Sequence, residues 1–286
     1  MKKNLLIVVI LAVCSIGIVK GQTVADSLAI VSACWKIENP QKGIVYKYAS
    51  IPQLYQGPQS ISLIEIDPVA GLKVGVAVSD KMKETSKIAS EYNAIAAING
   101  SYFDMKRGNS VCFLKTDRQV IDTTLQSEFK QRVTGAISVR KRGMKLIPWN
   151  KQIEKNYKGK AGTILASGPL MLKDGQVCDW NSCEPNFIWT KHPRSAVATT
   201  KGGKILLITV DGRFPEQAGG VNIPELAHLI RVLGGEDALN LDGGGSTTLW
   251  LSGASDNGVV NYPCDNGRFD HAGERKVPNI LYITHQ

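Results

Sequence analysis

The stretch NLDGGGSTTLWL, residues 240–251, breaks an apolar, strand-like run at Asp242 and opens it into three consecutive glycines. Glycine weakens a strand interior, so such a run marks a bulge, a turn or a close approach of backbone to a ligand. Just upstream lies NIPELAHLIRVLGG, residues 222–235. Its Leu226, Leu229, Ile230 and Leu233 fall at i, i+3, i+4 and i+7. Asn222 can cap this helix, Pro224 suits its first turn and Gly234-Gly235 ends it. His228, within the helix, reads as structural or surface rather than catalytic.

The helix joins two apolar runs. KILLITV (204–210) stops at Asp211-Gly212-Arg213, and ALNL (238–241) stops at Asp242-Gly243. Strand, crossover helix, strand is the layout of a parallel pair, whose carboxyl ends share one sheet edge. On this reading Asp211 and Asp242 are neighbours. Two more apolar runs end in a small polar residue and glycine: AIAAI at Asn99-Gly100, and TILA at Ser167-Gly168-Pro169. One such ending is ordinary turn chemistry. Four together point to a shared site at the strand ends, where α/β sheets tend to bind ligands.

The rest of the pattern is mostly strand. ISLIEID (61–67) and LKVGVAVS (72–79) around the turn-former PVAG predict a hairpin, as do SAVATT (195–200) and KILLITV around KGG. KETSKIASEYNA (83–94) predicts a short helix, and VPNILYIT (277–284) a last strand. The expectation is α+β or mixed α/β: a strand-rich single domain with a mixed sheet, hairpins and a few helices. No Pro/Ser-rich linker, low-complexity tract or repeat divides the chain.

The opening MKKNLLIVVILAVCSIGIVKG has the charged-then-apolar layout of a signal peptide, and its apolar run is short for a bilayer span. Residues 1–21 are read as the signal, cut before Gln22, leaving 22–286 as an exported, periplasmic or extracellular domain with no transmembrane segment. The rival reading lipidates Cys14, although Val13 is bulky for such a site. Removing Lys2, Lys3 and Lys20, with no acidic residue, lowers the net charge from +9 to +6. With no long Lys/Arg run, that mild excess argues against nucleic acid as partner. Cys34, Cys112, Cys178, Cys183 and Cys264 remain, an odd number for an oxidising compartment. Cys178 and Cys183 are close enough in sequence for a local bridge, and no histidine stands at zinc-ligand spacing to a cysteine pair.

The ordered series AAINGSYFD (96–104), SGPLMLKDG (167–175), HPRSAVA (192–198), TVDGR (209–213), the 223–233 helix, NLDGGGSTT (240–248) and ERKVPN (274–279) resembles the phosphodiester glycosidase family over roughly residues 60–284. Ser101 stands where that family suggests glycine, and Ser195 where threonine is commoner; both bear on sugar specificity. Without the epidermal-growth-factor-like and membrane segments of animal members, the chain is expected to be a stand-alone, bacterial, exported relative. The resemblance implies hydrolysis of the sugar C–O bond of a sugar-1-phosphodiester, similar to an N-acetylglucosamine-1-phosphodiester, releasing free sugar and a phosphomonoester.

That chemistry needs positive charge on the departing phosphate, a carboxylate for the sugar cation and an activated water. Arg194, Arg213 and Arg275 can grip phosphate oxygens bidentately. Gly243-Gly244-Gly245-Ser246 can turn backbone N–H groups toward an anion, without the lysine of a Walker loop. Asp211 and Asp242 are the expected catalytic carboxylates, one as base or nucleophile and the other orienting it or holding a sugar hydroxyl. Asp104 and Glu274 are reserves, and Tyr102 or Phe103 can stack on a sugar. Asn99, Gly100, Ser167 and Gly168 complete the expected substrate-binding set. No cofactor is required on this reading, while the metal-assisted alternative would place Mg2+ or Ca2+ on the aspartates. Further alternatives are an ordinary glycosidase and a non-catalytic glycan-binding module.

Overall fold

The computed structural model of the protein describes residues 23–141, 143–159 and 162–286. The expected signal peptide, its cleavage site and Cys14 lie outside the described residues. In chain order the strands are β1 (Lys36–Gln41), β2 (Ile44–Leu54), β3 (Gly57–Ile66), β4 (Leu72–Glu84), β5 (Ala96–Asn99), β6 (Leu114–Thr116), β7 (Gln119–Asp122), β8 (Gly135–Arg140), β9 (Gly143–Pro148), β10 (Thr163–Ser167), β11 (Leu170–Lys173), β12 (Gln176–Val177), β13 (Arg194–Thr200), β14 (Ile205–Val210), β15 (Gly235–Asn240), β16 (Leu249–Leu251) and β17 (Lys276–His285). The helices are α1 (Val24–Val31), α2 (Thr85–Glu91), α3 (Gln126–Gln131), α4 (Lys151–Lys155), α5 (Pro185–Trp189) and α6 (Ile223–Val232).

These strands form three sheets. The largest has eight strands in the order β1-β2-β3-β14-β13-β15-β11-β12; a five-stranded sheet runs β7-β6-β10-β8-β9, and a four-stranded one β16-β5-β17-β4. Alternate residues of the large sheet enter two cores. Val197, Ile205, Leu207 and Leu239 pack with Ile98, Ile137, Leu165 and Leu281 of the smaller sheets. Ala196, Leu206, Ile208 and Ala238 pack with Leu226, Leu229 and Ile230 of α6. Period-2 alternation sends successive side chains to opposite faces, and here both faces are covered. Hence β14 is buried along its whole length. Fully burying each large aliphatic side chain contributes about 1.5–3 kcal/mol.

The helix α6 forms where the apolar spacing placed it. Asn222 and Glu225 make a reciprocal capping box, the Asn222 side chain accepting from Glu225 N–H and Glu225 from Asn222 N–H. His228 is structural as expected, its ring nitrogens lying 2.6 Å from Tyr55 Oη and 2.9 Å from Ser27 Oγ.

Two topological expectations change. Strands β14 and β15 run in the same direction but are not paired: β13 lies between them, antiparallel to both, with Arg194 opposite Val210 and Ala196 opposite Asn240. Every strand pair among the described residues is antiparallel. The anticipated mixed sheet is therefore replaced by antiparallel ones; the apolar run that suggested a parallel strand reflects burial on both faces. The residues 61–79 also form no hairpin. PVAG instead carries the chain from the large sheet into the four-stranded sheet. The 195–210 hairpin is present as β13–β14.

The carboxyl ends of β5, β10 and β15, one from each sheet, meet through hydrogen bonds. Asp242 N–H donates to Gly100 O at 3.0 Å, and Ser167 Oγ to Asn240 O at 2.9 Å. A Cβ on Gly100 would overlap the Asn279 side chain and approach its backbone oxygen. Gly100→Ala is therefore expected to destabilise the fold by about 1–3 kcal/mol, as overpacking does. Urea denaturation checks this; an unchanged midpoint contradicts the close approach.

Candidate active site

Asp242 follows the end of β15 and begins the glycine turn, whose Gly244–Ser246 form one turn of 3-10 helix. The glycines answer to steric need. Gly244 has φ of +62°, and a Cβ there would stand 2.9 Å from Arg213 Nη2. A Cβ on Gly243 would stand 2.6 Å from Pro193 O, and one on Gly245 would overlap both the Arg275 guanidinium and the Asp265 carboxylate. The missing side chains are thus what lets two guanidinium groups lie against the backbone.

Asp242 itself is partly exposed. Burial of its carboxylate by the surrounding protein raises its pKa above the ordinary 3.8; the Ser246 hydroxyl, Arg132, Arg275 and Gly243 N–H offset part of the rise. Burial outweighs the nearby positive charge. Ser246 Oγ is buried and approaches the carboxylate without an aligned hydrogen bond.

Arg132 and Asp265 were not legible as site residues. Arg132 closes α3 outside any motif, pairs with Glu128 at 2.8 Å, and lies 3.7 Å over the Tyr102 ring. Gly168 lets it approach, since a Cβ there would overlap Arg132 O. Asp265 holds Arg275 through Nε at 3.0 Å and Nη2 at 2.5 Å. Only the Glu128-to-Arg132 spacing of four residues, a helical ion-pair interval, hinted at an ordered arginine.

The remaining expected residues separate into supports and bystanders. Asn99 is completely buried: its Oδ1 accepts from Ser195 Oγ at 2.6 Å and Thr248 N–H at 3.1 Å, and its Nδ2 donates to Asp242 O at 2.7 Å. Tyr102 is buried, donating to Gly168 O at 2.5 Å and accepting from Asn240 Nδ2 at 2.8 Å. Ser167 is buried likewise. These side chains fix the strand ends and leave no surface for a sugar.

Asp211 is not beside Asp242, because β13 intervenes. Its carboxylate is fully buried and accepts from Ser60 Oγ at 2.6 Å, Asn261 Nδ2 at 2.9 Å and Tyr262 N–H at 3.0 Å. Burial raises its pKa despite these donors. Asn261 Nδ2 also donates to Thr247 O at 3.1 Å, so Asp211 braces the glycine turn indirectly.

Arg194, 2% exposed, spends its guanidinium on the carbonyls of Val221, Phe187 and Thr190, and burial lowers its pKa to about 10. It cannot reach a phosphate from there. Glu274 accepts from Ser86 N–H at 2.9 Å and Ser86 Oγ at 2.5 Å, holding the first turn of α2, and burial raises its pKa. Asp104 accepts from Lys106 and Arg107 N–H in a turn of its own. Arg213 is exposed, with φ of +70° and Nη1 3.6 Å from Cys264 Sγ. The five described cysteines are free, so the local 178–183 bridge does not form. Among the described residues no three His, Cys, Asp or Glu side chains gather as a metal-ligating group, and no helix is long and apolar enough to cross a membrane.

The strand-rich fold thus places one partly exposed carboxylate within the electrostatic influence of Arg132 and Arg275, the residue types that can meet an anion beside an acid or base. Comparison with known proteins gives the family: the phosphodiester glycosidase model matches residues 92–284, and the chain belongs to that family. Mouse N-acetylglucosamine-1-phosphodiester alpha-N-acetylglucosaminidase is 27% identical over 108 residues, 36% of this chain and 20% of that protein. The human protein of the same name is 23% identical over 203 residues, 69% of this chain and 32% of that one. The chain thus spans less than a third of the length of these curated relatives. Among solved structures, the zebrafish enzyme's catalytic domain, auto-inhibited by its pro-peptide, matches with a TM-score of 0.68 at 19% identity, over 87% of this chain and 86% of that domain. A hypothetical protein from Synechocystis matches with a TM-score of 0.63 at 15% identity, over 88% and 64% of the two chains. These likenesses establish the fold.

A carboxyl whose pKa is raised by folding contributes stability that is complete below its unfolded value and lost as pH rises through its folded value. Ionised Asp242 therefore costs stability at neutral pH. Asp242→Asn is expected to unfold at a higher urea concentration than wild type at pH 7, with the difference shrinking to zero below about pH 3.8. Lower stability of the variant at pH 7 would contradict the sign.

Proposed function

We propose that the protein is an exported hydrolase that cleaves the sugar C–O bond of a sugar-1-phosphodiester on a phosphorylated glycan or sugar-phosphate diester, releasing free sugar and a phosphomonoester. The observation that carries this reading is the partly exposed Asp242, whose carboxyl pKa is raised by burial within the electrostatic influence of Arg132 and Arg275. Arg213 lies against the same glycine turn. Family membership and the names of the mouse and human relatives support the phosphodiester as substrate class, and the signal-like leader supports export to the periplasm or medium.

In this mechanism Arg132, Arg213 and Arg275 bind the phosphate, with phosphate oxygens displacing Asp265 from Arg275. A phosphate monoester is an acceptable leaving group, so its oxygen needs charge stabilisation more than a proton. Asp242 acts as base. Water attacks the anomeric carbon, its proton passes to Asp242, and the C–O bond breaks with its electron pair remaining on the phosphate oxygen. The raised pKa suits this proton transfer. Asp211, sealed from solvent, is a positioning residue that holds the 261–262 backbone and, through Asn261, the turn at Thr247.

The test compares hydrolysis of a methyl N-acetylglucosamine phosphodiester with that of an aryl N-acetylglucosaminide lacking phosphate. The phosphodiester is expected to be the better substrate, with Asp242→Asn lowering kcat about 10²–10⁴-fold and Arg213→Ala lowering kcat/KM about 10–100-fold. Preference for the aryl glycoside, or near-normal turnover in Asp242→Asn, contradicts the assignment. An activity abolished by chelator and accompanied by P–O cleavage would favour the metal-assisted phosphodiesterase reading instead.

A further inference from the structure

A cavity of about 420 Å3 opens between the first two strands and the segment 251–271, and none of its lining residues belongs to the Asp242 cluster. Its size is within the range of small-molecule sites, about 300–1,000 Å3. Tyr46 is buried at its inner side, with its hydroxyl donating to Val260 O at 2.9 Å. Three half-buried rings line it: Tyr48, Tyr262 and His271. Tyr262 lies 6.1 Å from Tyr48 and 4.3 Å from His271, and is itself stacked on Phe269 at 4.1 Å with an interplanar angle of 8°. At the rim, exposed Lys36 and Glu38 form an ion pair at 2.7 Å.

We propose that this cavity is a separate, non-catalytic carbohydrate site that takes a neutral pyranose unit. A pyranose has an apolar C–H face and a periphery of hydroxyls that both donate and accept. Tyr48 and His271 offer ring faces for the first, while Tyr262, enclosed between Phe269 and His271, holds His271 in place, and Lys36 and Glu38 supply a donor and an acceptor for the second. The rim's charges cancel, so an anionic unit gains little there, whereas guanidinium groups crowd Asp242. The platform is preorganised as well: Phe269 backs the Tyr262 ring, and Tyr262 N–H is fixed on buried Asp211.

Saturation-transfer NMR and calorimetric titration of the full chain test this, with methyl N-acetyl-α-D-glucosaminide and methyl α-D-glucopyranoside as neutral probes and adenosine as a planar aromatic control. At least one glycoside is expected to bind wild type and Asp242→Asn alike. Binding should weaken about tenfold in Tyr48→Ala, which loses a stacking face, and about threefold or more in Lys36→Ala, which loses an exposed charged donor. Absence of glycoside binding, binding of adenosine alone, or binding lost in Asp242→Asn but kept in Tyr48→Ala and Lys36→Ala would overturn the proposal. Because binding and hydrolysis are read separately, a protein that binds through Tyr48 yet hydrolyses nothing would retain this site and refute the proposed activity instead.

Discussion

The arrangement around Asp242 depends on the buried side chain of Asn99. One amide ties β13, through Ser195, to the backbone at Thr248 and to the carbonyl of Asp242. These partners come from β13 and from both ends of the 242–248 turn, and no solvent competes at a fully buried amide. Leaving any of them unpaired would cost about 1–3 kcal/mol, so the turn is strongly held to one conformation. The neighbouring Gly100 adds a backbone bond to Asp242, and its missing side chain admits Asn279. A short polar residue followed by glycine thus serves as a joint between sheets.

On that joint the electrostatics are opposed rather than uniformly favourable. Burial disfavours the Asp242 charge, the arginines favour it, and burial wins, leaving a carboxyl with a raised pKa. The glycine turn controls how near the cations come, because side chains at 244 and 245 would occupy the space of Arg213 and Arg275. Asp211 shows the contrasting use of a carboxylate. Fully enclosed and met by three donors, it secures backbone instead of meeting a ligand.

Much of this was legible in the sequence. The α6 boundaries followed from Asn222, Pro224 and the leucine spacing, and the four polar-glycine strand endings marked places where the chain changes direction. The glycine run at 243–245 suggested backbone N–H groups turned toward an anion; instead Gly244 N–H donates to Pro193 O and Ser246 N–H to Gly243 O, and the space that side chains would fill holds the Arg213 and Arg275 guanidinium groups. Pairing was not legible, because a continuous apolar run records burial on both faces and says nothing of strand direction; β13, inserted between β14 and β15, has no local signature for its place. Polar residues with structural roles were equally opaque. Arg194, Glu274 and Asp104 lie within motifs yet satisfy carbonyls, a helix start and a turn, while Arg132 reaches the Asp242 cluster from a helix with no motif. Residue type and position in a motif do not specify which way a side chain points.

The most direct measurement is hydrolysis of the methyl N-acetylglucosamine phosphodiester in oxygen-18 water, with mass spectrometry of both products. Asp242 activating water against the anomeric carbon puts the label in the released sugar and none in the phosphate. Label in the phosphate would mean that the P–O bond is broken, and would contradict the role given to Asp242 and its arginines.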